Sequence, residues 1–344
     1  MPSLKTDLST EKLVNNVLAT IDREREREIV SKRFGLFDRK ETLEQIGETL
    51  GITRERVRQL EKSVVGRLKQ NAEQGKLSQI SSFEKTILEK LSSVGQIAKT
   101  VNLAEMLVGN QNREEQSRIT FLAELSPNLT VLSEDDNFYP AIANKSVFDE
   151  GSVKTNVDKI IGAITKFAVP KDIATIAKSA GIKDVQQTQA LAGISKQLAS
   201  FNGQWGLVKW PEVNPKNIRD KIYVILKENG KHMHFNEIAS AIKQSDFKRK
   251  DVTTQAIHNE LIKDKRFVLI GRGIYALKEW GYQNGTVADV IANVLREAKQ
   301  PLHRDEIVKR VLKSRFVKET TILLNLQGKP QFKRVAKATY ELSE

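Results

Sequence analysis

Apolar residues recur at helical spacing twice in quick succession between Leu43 and Leu68. Leu43, Ile46 and Leu50 lie three and four positions apart, which predicts one short amphipathic helix. Gly51 interrupts the pattern with a residue that tolerates the left-handed backbone of a tight turn. Thr53 stands where an N-cap is expected, and Val57, Leu60, Val64 and Leu68 form the apolar stripe of a second helix. Two helices joined by so short a turn predict a helix-turn-helix. Removing the stripe leaves Arg54, Glu55, Arg58 and Gln59 on the outward face of the second helix, at its N-terminal end. Arg pairs with guanine, Gln with adenine, and Glu accepts from cytosine in a major groove. A recognition helix inserts its N-terminal end, so these four residues, with Arg56 and Lys62, are the candidate DNA contacts. The alternative is a helix-turn-helix that only packs against its neighbours or binds protein.

The second half of the chain repeats itself. Ile222, Leu226, His234 and Glu237 recur 69 positions later as Ile291, Leu295, His303 and Glu306. Gly203–Trp210, Gly271–Trp280 and Ala338–Leu342 echo one another as well. In the clearest copy, Ile218–Asn229 is an amphipathic helix stopped by Gly230, and Met233–Phe235 is a short strand. Asn236 is the expected cap of a helix over Glu237–Lys243, and Thr253 or Thr254 caps a third running to about Lys265. Phe267–Ile270 and Ile274–Leu277 then pair around Gly271, Arg272 and Gly273. Three helices and a two-stranded wing predict a winged helix. The fold class is therefore mainly α: a helix-turn-helix over 1–76, then tandem winged-helix modules at 77–150, 151–214, 215–284 and 285–344. The first of these rests on position and on a strand pair formed by Val131-Leu132 and Phe138-Tyr139.

Charge separates the segments. The 344 residues carry a formal net charge of +13, which favours a polyanionic partner or an acidic protein surface. By segment the net charge is +3 for 1–76, −5 for 77–150, +4 for 151–214, +6 for 215–284 and +5 for 285–344. The acidic second segment suits a protein contact or a spacer better than it suits phosphates. Zero cysteines exclude disulfides and thiolate metal sites. No apolar run approaches the roughly 18 residues of a membrane span, and the N-terminus lacks a signal-peptide core. A cytoplasmic, nucleoid-associated protein is expected.

The stretches Val17-Leu-Ala, Arg33-Phe-Gly, Thr42-Leu-Glu-Gln-Ile-Gly, Thr53–Glu61 and Arg67-Leu-Lys together resemble region four of bacterial housekeeping sigma factors, over about residues 10–70. The resemblance implies that Arg54, Glu55, Arg58 and Gln59 contact a promoter −35 element. Residues 1–16 leave no room ahead of the match for the other sigma domains, so a self-sufficient sigma factor is not expected. Met233–Ala239 and Gly271–Trp280 resemble the HARE-type helix-turn-helix, whose bacterial relatives include the N-terminal domain of the RNA polymerase delta subunit. That resemblance implies DNA binding or an adaptor role in transcription, without choosing between them.

The remaining candidates are weaker. In 215–284 the third helix would bury Ala256, Ile257 and Leu261 and expose Gln255, His258, Asn259 and Lys263. Lys248, Arg249 and Lys250 just before it, and Arg272 at the wing tip, are candidate phosphate contacts; the alternative is ordinary solvated surface. His232 and His234 lack companion ligands at metal-site spacing, so packing or hydrogen bonding is expected and no metal. Trp205, Trp210 and Trp280 are expected in the core at the foot of each wing. Arg23-Glu-Arg-Glu-Arg-Glu28 is most simply a solvated, salt-bridged helix face. No phosphate-cradling glycine loop or hydrolase motif occurs, and no enzyme, cofactor or small-molecule substrate is expected. The expected partner is duplex DNA, read by a transcription regulator. The alternatives are an adaptor that binds RNA polymerase and a nucleoid protein of low sequence preference.

Overall fold

Thr42 and Thr53 set the starts of the two helices expected between residues 43 and 68. In the computed structural model, which describes residues 9–247, 251–282 and 285–343, the first four helices are α1 (Thr10–Ala19), α2 (Glu24–Phe34), α3 (Leu43–Leu50) and α4 (Arg54–Glu73). The Thr42 hydroxyl accepts from the Gln45 amide, and Gln45 returns the bond to the Thr42 amide, a closed capping box. Thr53 accepts from the Arg56 amide. Gly51 ends α3 at φ 63°, the left-handed conformation that glycine adopts without strain. A Cβ on Gly47 would stand 2.6 Å from the Ile52 carbonyl oxygen, so the turn folds this closely onto α3 only because residue 47 has no side chain.

The two halves of α4 belong to different cores. Val57, with Leu60 partly buried beside it, packs on Ile29 and Ile46 in a small cluster with Leu43, Leu50 and Ile52. Val64, Leu68 and Ala72 enter a larger core with Val14 and Val17 of α1. That core continues through α5 (Ser78–Ser92) and α7 (Arg113–Leu125), contributing Phe83, Ile87, Phe121 and Leu122. The boundary expected at residue 76 thus falls inside one continuous apolar cluster. The Arg23–Glu28 run is only in part the solvated, salt-bridged face expected: Arg23, Glu24 and Arg25 are exposed and Arg23 pairs with Glu26, but the run also reaches inward. Glu26 is buried and pairs with Arg67 of α4, and Arg25 donates to the Leu50 carbonyl at the end of α3. Burial of Glu26 is tolerable because a cation meets it.

Four times the chain then runs helix, short strand, helix, helix, hairpin. The first copy is α5, β1 (Ile97–Lys99), α6 (Thr100–Val108), α7, β2 (Leu129–Leu132) and β3 (Ala141–Asn144). The second is α8 (Glu150–Phe167), β4 (Lys171–Asp172), α9 (Ile173–Ala180), α10 (Val185–Ile194), β5 (Leu198–Phe201) and β6 (Gln204–Leu207). The third is α11 (Ile218–Asn229), β7 (Met233–His234), α12 (Phe235–Gln244), α13 (Thr254–Lys263), β8 (Phe267–Gly271) and β9 (Ile274–Leu277). The fourth is α14 (Val287–Ala298), β10 (Leu302–His303), α15 (Arg304–Ser314), α16 (Glu319–Gly328), β11 (Phe332–Ala336) and β12 (Thr339–Leu342). Each copy closes a three-stranded antiparallel sheet with its last strand in the middle. The chain divides into two compact units, residues 1–209 and 210–344, each holding two copies.

Details inside the copies depart from the sequence expectation. Phe138 and Tyr139 are not the strand partner of β2; that partner is β3. Pro140, which lacks an amide hydrogen, stands just before β3, and Tyr139 instead donates its amide to the Ile194 carbonyl. The cap of α12 is His234, not Asn236. Its Nδ1 accepts from the Asn236 amide at 3.3 Å while Glu237 accepts from the His234 amide at 2.8 Å. His303 caps α15 in the same way, accepting from the Asp305 amide at 3.3 Å, and Asp172 caps α9 by accepting from the Thr175 amide at 2.9 Å. These histidines recur because the last residue of the short strand starts the next helix. His258 is half-buried rather than exposed, with its ring 5.0 Å from Phe235 and 6.2 Å from Tyr275. Ala256 is half-buried, while Ile257 and Leu261 are buried as expected. The three tryptophans are half-buried.

Candidate nucleic-acid interface

Successive residues of a helix turn by about 100°, so Arg54, Glu55, Arg58, Gln59 and Lys62 share one face of α4, with Arg56 at its margin. All six are exposed. The face is organised by its own hydrogen bonds. Arg58 clamps Glu55 with two bonds, Nε to Oε2 at 2.8 Å and Nη2 to Oε1 at 2.7 Å. Gln59 donates to the same Glu55 oxygen at 3.3 Å, and Arg56 donates to the side-chain Oε1 of Gln59 at 3.4 Å. Arg54 pairs with Glu44 of α3 at 2.8 Å. The Arg58 guanidinium pulls the Glu55 carboxyl well below its ordinary range, to about 2, and Glu55 raises Arg58 in return.

Chemically this is a row of planar donors and acceptors whose partners can be exchanged for base edges. Exposed ion pairs typically contribute little in water, so opening this one to meet a guanine or cytosine is not prohibitive. The rest of the domain fixes where the face points. Arg33 of α2 reaches Glu61 of α4 at 3.2 Å, and Glu26 holds Arg67 one turn and a half further along. Two ion pairs between α2 and α4 therefore set the rotation of the helix behind that exposed face.

The other candidates are distributed differently. Arg272 is exposed between β8 and β9, within the 210–344 unit. Lys248, Arg249 and Lys250 lie outside the described residues. Arg272 is a feature of the third copy, within its own unit. Gln255, Asn259 and Lys263 are exposed on α13, where Gln255 donates to Asn259 at 3.1 Å.

The four third helices are not equivalent. In the first copy, α7 packs against α1, α2 and α4. Thr10 donates to Glu115 and Arg118 donates to the Leu36 carbonyl at 2.8 Å. In the second copy, α10 lies on β1 of the first, with Gln186 donating to the Ser93 carbonyl. A Cβ on Gly95 would stand 2.5 Å from the Gln186 carbonyl oxygen, so this contact too depends on a glycine. Both helices are occupied by the protein itself, whereas α13 keeps an open face of Gln255, Asn259, Ile262 and Lys263. The third hairpin is partly occupied as well. Phe316 donates its amide to Ile270 at 3.0 Å, Arg315 donates to the Leu269 carbonyl, and the His232 ring stacks 4.5 Å from Phe316. These bonds close the outer edge of β8. Sequence reading missed this docking, and it also missed Lys333, Arg334 and Lys337, which are exposed on the last hairpin.

Among known proteins, the family model of Sigma-70, region 4, matches residues 23–70. The RNA polymerase sigma factor sigB of Arabidopsis thaliana is 45% identical over 56 residues, which is 16% of this chain and 10% of that protein. The RNA polymerase sigma factor RpoD of Helicobacter pylori is 41% identical over 68 residues, 19% of this chain and 10% of the relative. The chain spans about a tenth of the length of the curated relatives it matches. A bacterial selenocysteine-specific elongation factor, EF-Sec, aligns over 79% of this chain and 40% of its own, with 13% identity and a TM-score of 0.22. A likeness that low carries no argument. Residues 23–70 are thus a sigma region 4 helix-turn-helix. No helix among the described residues is long and apolar enough to cross a membrane.

Proposed function

We propose that this protein is a DNA-binding transcription regulator that reads a −35-like promoter element through α4. The observation that carries the reading is the exposed, pre-organised face of Arg54, Glu55, Arg58 and Gln59 at the N-terminal end of α4, inside the region 4 match. The four repeated copies are winged helices, HARE-type at 215–284 and HARE-like at 285–344, with limits between copies at 150, 214 and 284. Their three-helix and hairpin order supports that assignment. Arg272 and the Lys248–Lys250 run add phosphate contacts in this reading, and no catalytic step, cofactor or metal enters it. The test is fluorescence anisotropy with two duplexes, one carrying a −35-like element and one scrambled. Preference for the first, lost in Arg58→Ala, is the expected result; equal affinity for both would remove base reading from α4.

A second reading is favoured by a specific observation. Two of the four third helices, α7 and α10, already bind protein surface, and the last copy exposes Leu324 and Phe316. Those features suit an adaptor that docks on RNA polymerase. Co-purification with purified polymerase core in the absence of promoter DNA would select the adaptor reading over the regulator.

A further inference from the structure

We propose that the hairpin of β11 and β12 is the chain's phosphate grip, a ribbon that holds the backbone of duplex DNA without reading its sequence. The inference rests on the DNA-binding reading above and names a surface that the sequence does not single out. Four hairpins occupy the same place in four copies of one fold, so their differences are not demanded by folding. The first, spanning 129–144, contains Glu134, Asp135 and Asp136 and no basic side chain but Lys145 just beyond it. The second, 198–207, carries no charge at all. The third, 267–277, carries Arg272 alone. The fourth, 332–342, carries Lys333, Arg334 and Lys337 against a single acid, Glu341. Charge therefore rises along the series from −3 through 0 and +1 to +2.

The pairing of these charges differs in the same direction. Two of the three acids of the first hairpin are engaged: Glu134 pairs with Lys196 at 2.7 Å, and Asp135 accepts from the Asn137 and Phe138 amides at 2.7 Å each. In the fourth hairpin residues 333 to 337 are exposed one after another. Among the described residues none of Lys333, Arg334 and Lys337 forms an ion pair, although Glu341 stands opposite Lys333 in the register. The only bond of these side chains described is from Arg334 Nε to the Ala336 carbonyl, at 3.2 Å. It spans a break in register between Arg334 and Ala336, which bends the strand. Three cations thus project from a bent ribbon, and among the described residues no carboxylate forms an ion pair with them. A polyanion with closely spaced charges is the partner such a ribbon fits, and duplex DNA places one phosphate charge per roughly 1.7 Å of its axis. The third hairpin cannot serve equally, because its outer strand is covered by Arg315 and Phe316.

The test is the salt dependence of affinity, measured on full-length protein with the −35-like and scrambled duplexes. Each neutralised phosphate contributes roughly −0.9 to the slope of log K against log salt. Replacing Lys333, Arg334 and Lys337 together with Ala is expected to flatten that slope by up to about 2.7 on both duplexes and leave preference between them intact. An equal removal of exposed charge elsewhere, Lys159, Lys166 and Lys183 to Ala, should leave the slope unchanged. Equal flattening by the two triple variants would overturn the inference by making net charge the whole cause. An unchanged slope in the hairpin variant would also overturn it, and self-association of that variant would then assign these cations to keeping an open sheet edge apart. If wild-type protein bound neither duplex, the DNA-binding reading would fall first and this inference with it.

Discussion

Glu55 is the residue on which the behaviour of the reading face turns. Its carboxylate is shared by Arg58 and Gln59, so the face is nearly neutral at its centre before any DNA arrives. Arg58→Ala and Gln59→Ala should each cost about 1–3 kcal/mol on the preferred duplex and much less on scrambled DNA. Glu55→Gln should act in the opposite sense on scrambled DNA. It frees Arg58 for phosphates, so non-specific affinity should rise by about fivefold to tenfold, a change near 1 kcal/mol, while discrimination falls. The pH dependence has a definite sign. Because the Glu55 carboxyl is depressed to about 2 by Arg58, the pairing is fully present above the ordinary carboxylate range and is lost only as pH falls through about 2. Carbon-13 NMR should therefore show Glu55 ionised from pH 7 to pH 4. In Arg58→Ala the same carboxyl should titrate closer to the ordinary value of about 4.3. A normal titration in the wild type would show that the pair does not persist in solution.

Individual elements follow local rules where the signals are local. Gly47→Ala would force the Ile52 carbonyl away from α3, and a cost of about 1–3 kcal/mol in urea unfolding is expected from such overpacking. His234→Ala removes a cap and should cost about 0.5–2 kcal/mol, whereas His234→Asp should recover most of it, since Asp172 already caps the matching helix of the second copy. Thermal unfolding of the two variants checks the pair; equal losses would mean the imidazole matters for packing rather than capping. Much of this scale was legible in the sequence. Thr42, Thr53, Gly51 and Gly230 mark helix ends through bonds to residues three or four away, and the 69-residue offset reproduces α11, β7, α14 and β10. What stayed hidden depends on distant partners. Glu26 reads as solvated until Arg67, 41 residues on, comes to meet it. Gln186 and Gly95 carry no periodic signal, so the docking of α10 could not be read from spacing. Lys333, Arg334 and Lys337 are separated by Val335 and Ala336, and only exposure turns them into a patch.

In the 1–209 unit, the helix-turn-helix is built into its neighbour. Val64, Leu68 and Ala72 of α4 share a core with Phe83 and Phe121, both fully buried. Phe121→Ala should cost about 3–5 kcal/mol and should reduce hydrogen-exchange protection in α1 and the C-terminal half of α4 as well as in α7. Loss confined to α7 would show that the copies unfold independently. A fragment ending at residue 76 should expose that half of the stripe to water and show less helix than its sequence share, while a fragment ending at 149 should retain it; far-ultraviolet circular dichroism separates the two. The continuity of α4 has one more consequence, which concerns insertions and deletions rather than substitutions. Its 20 residues join Gln59, at the reading end, to Val64, the first residue anchored in the larger core. Adding or removing one residue between them turns the reading end by about 100° and shifts it by about 1.5 Å against the anchor. Exchanges at the exposed Ser63 change neither quantity. A scan of this stretch should therefore find residue 63 free to vary and length fixed, with a single added residue abolishing site preference while the protein remains folded.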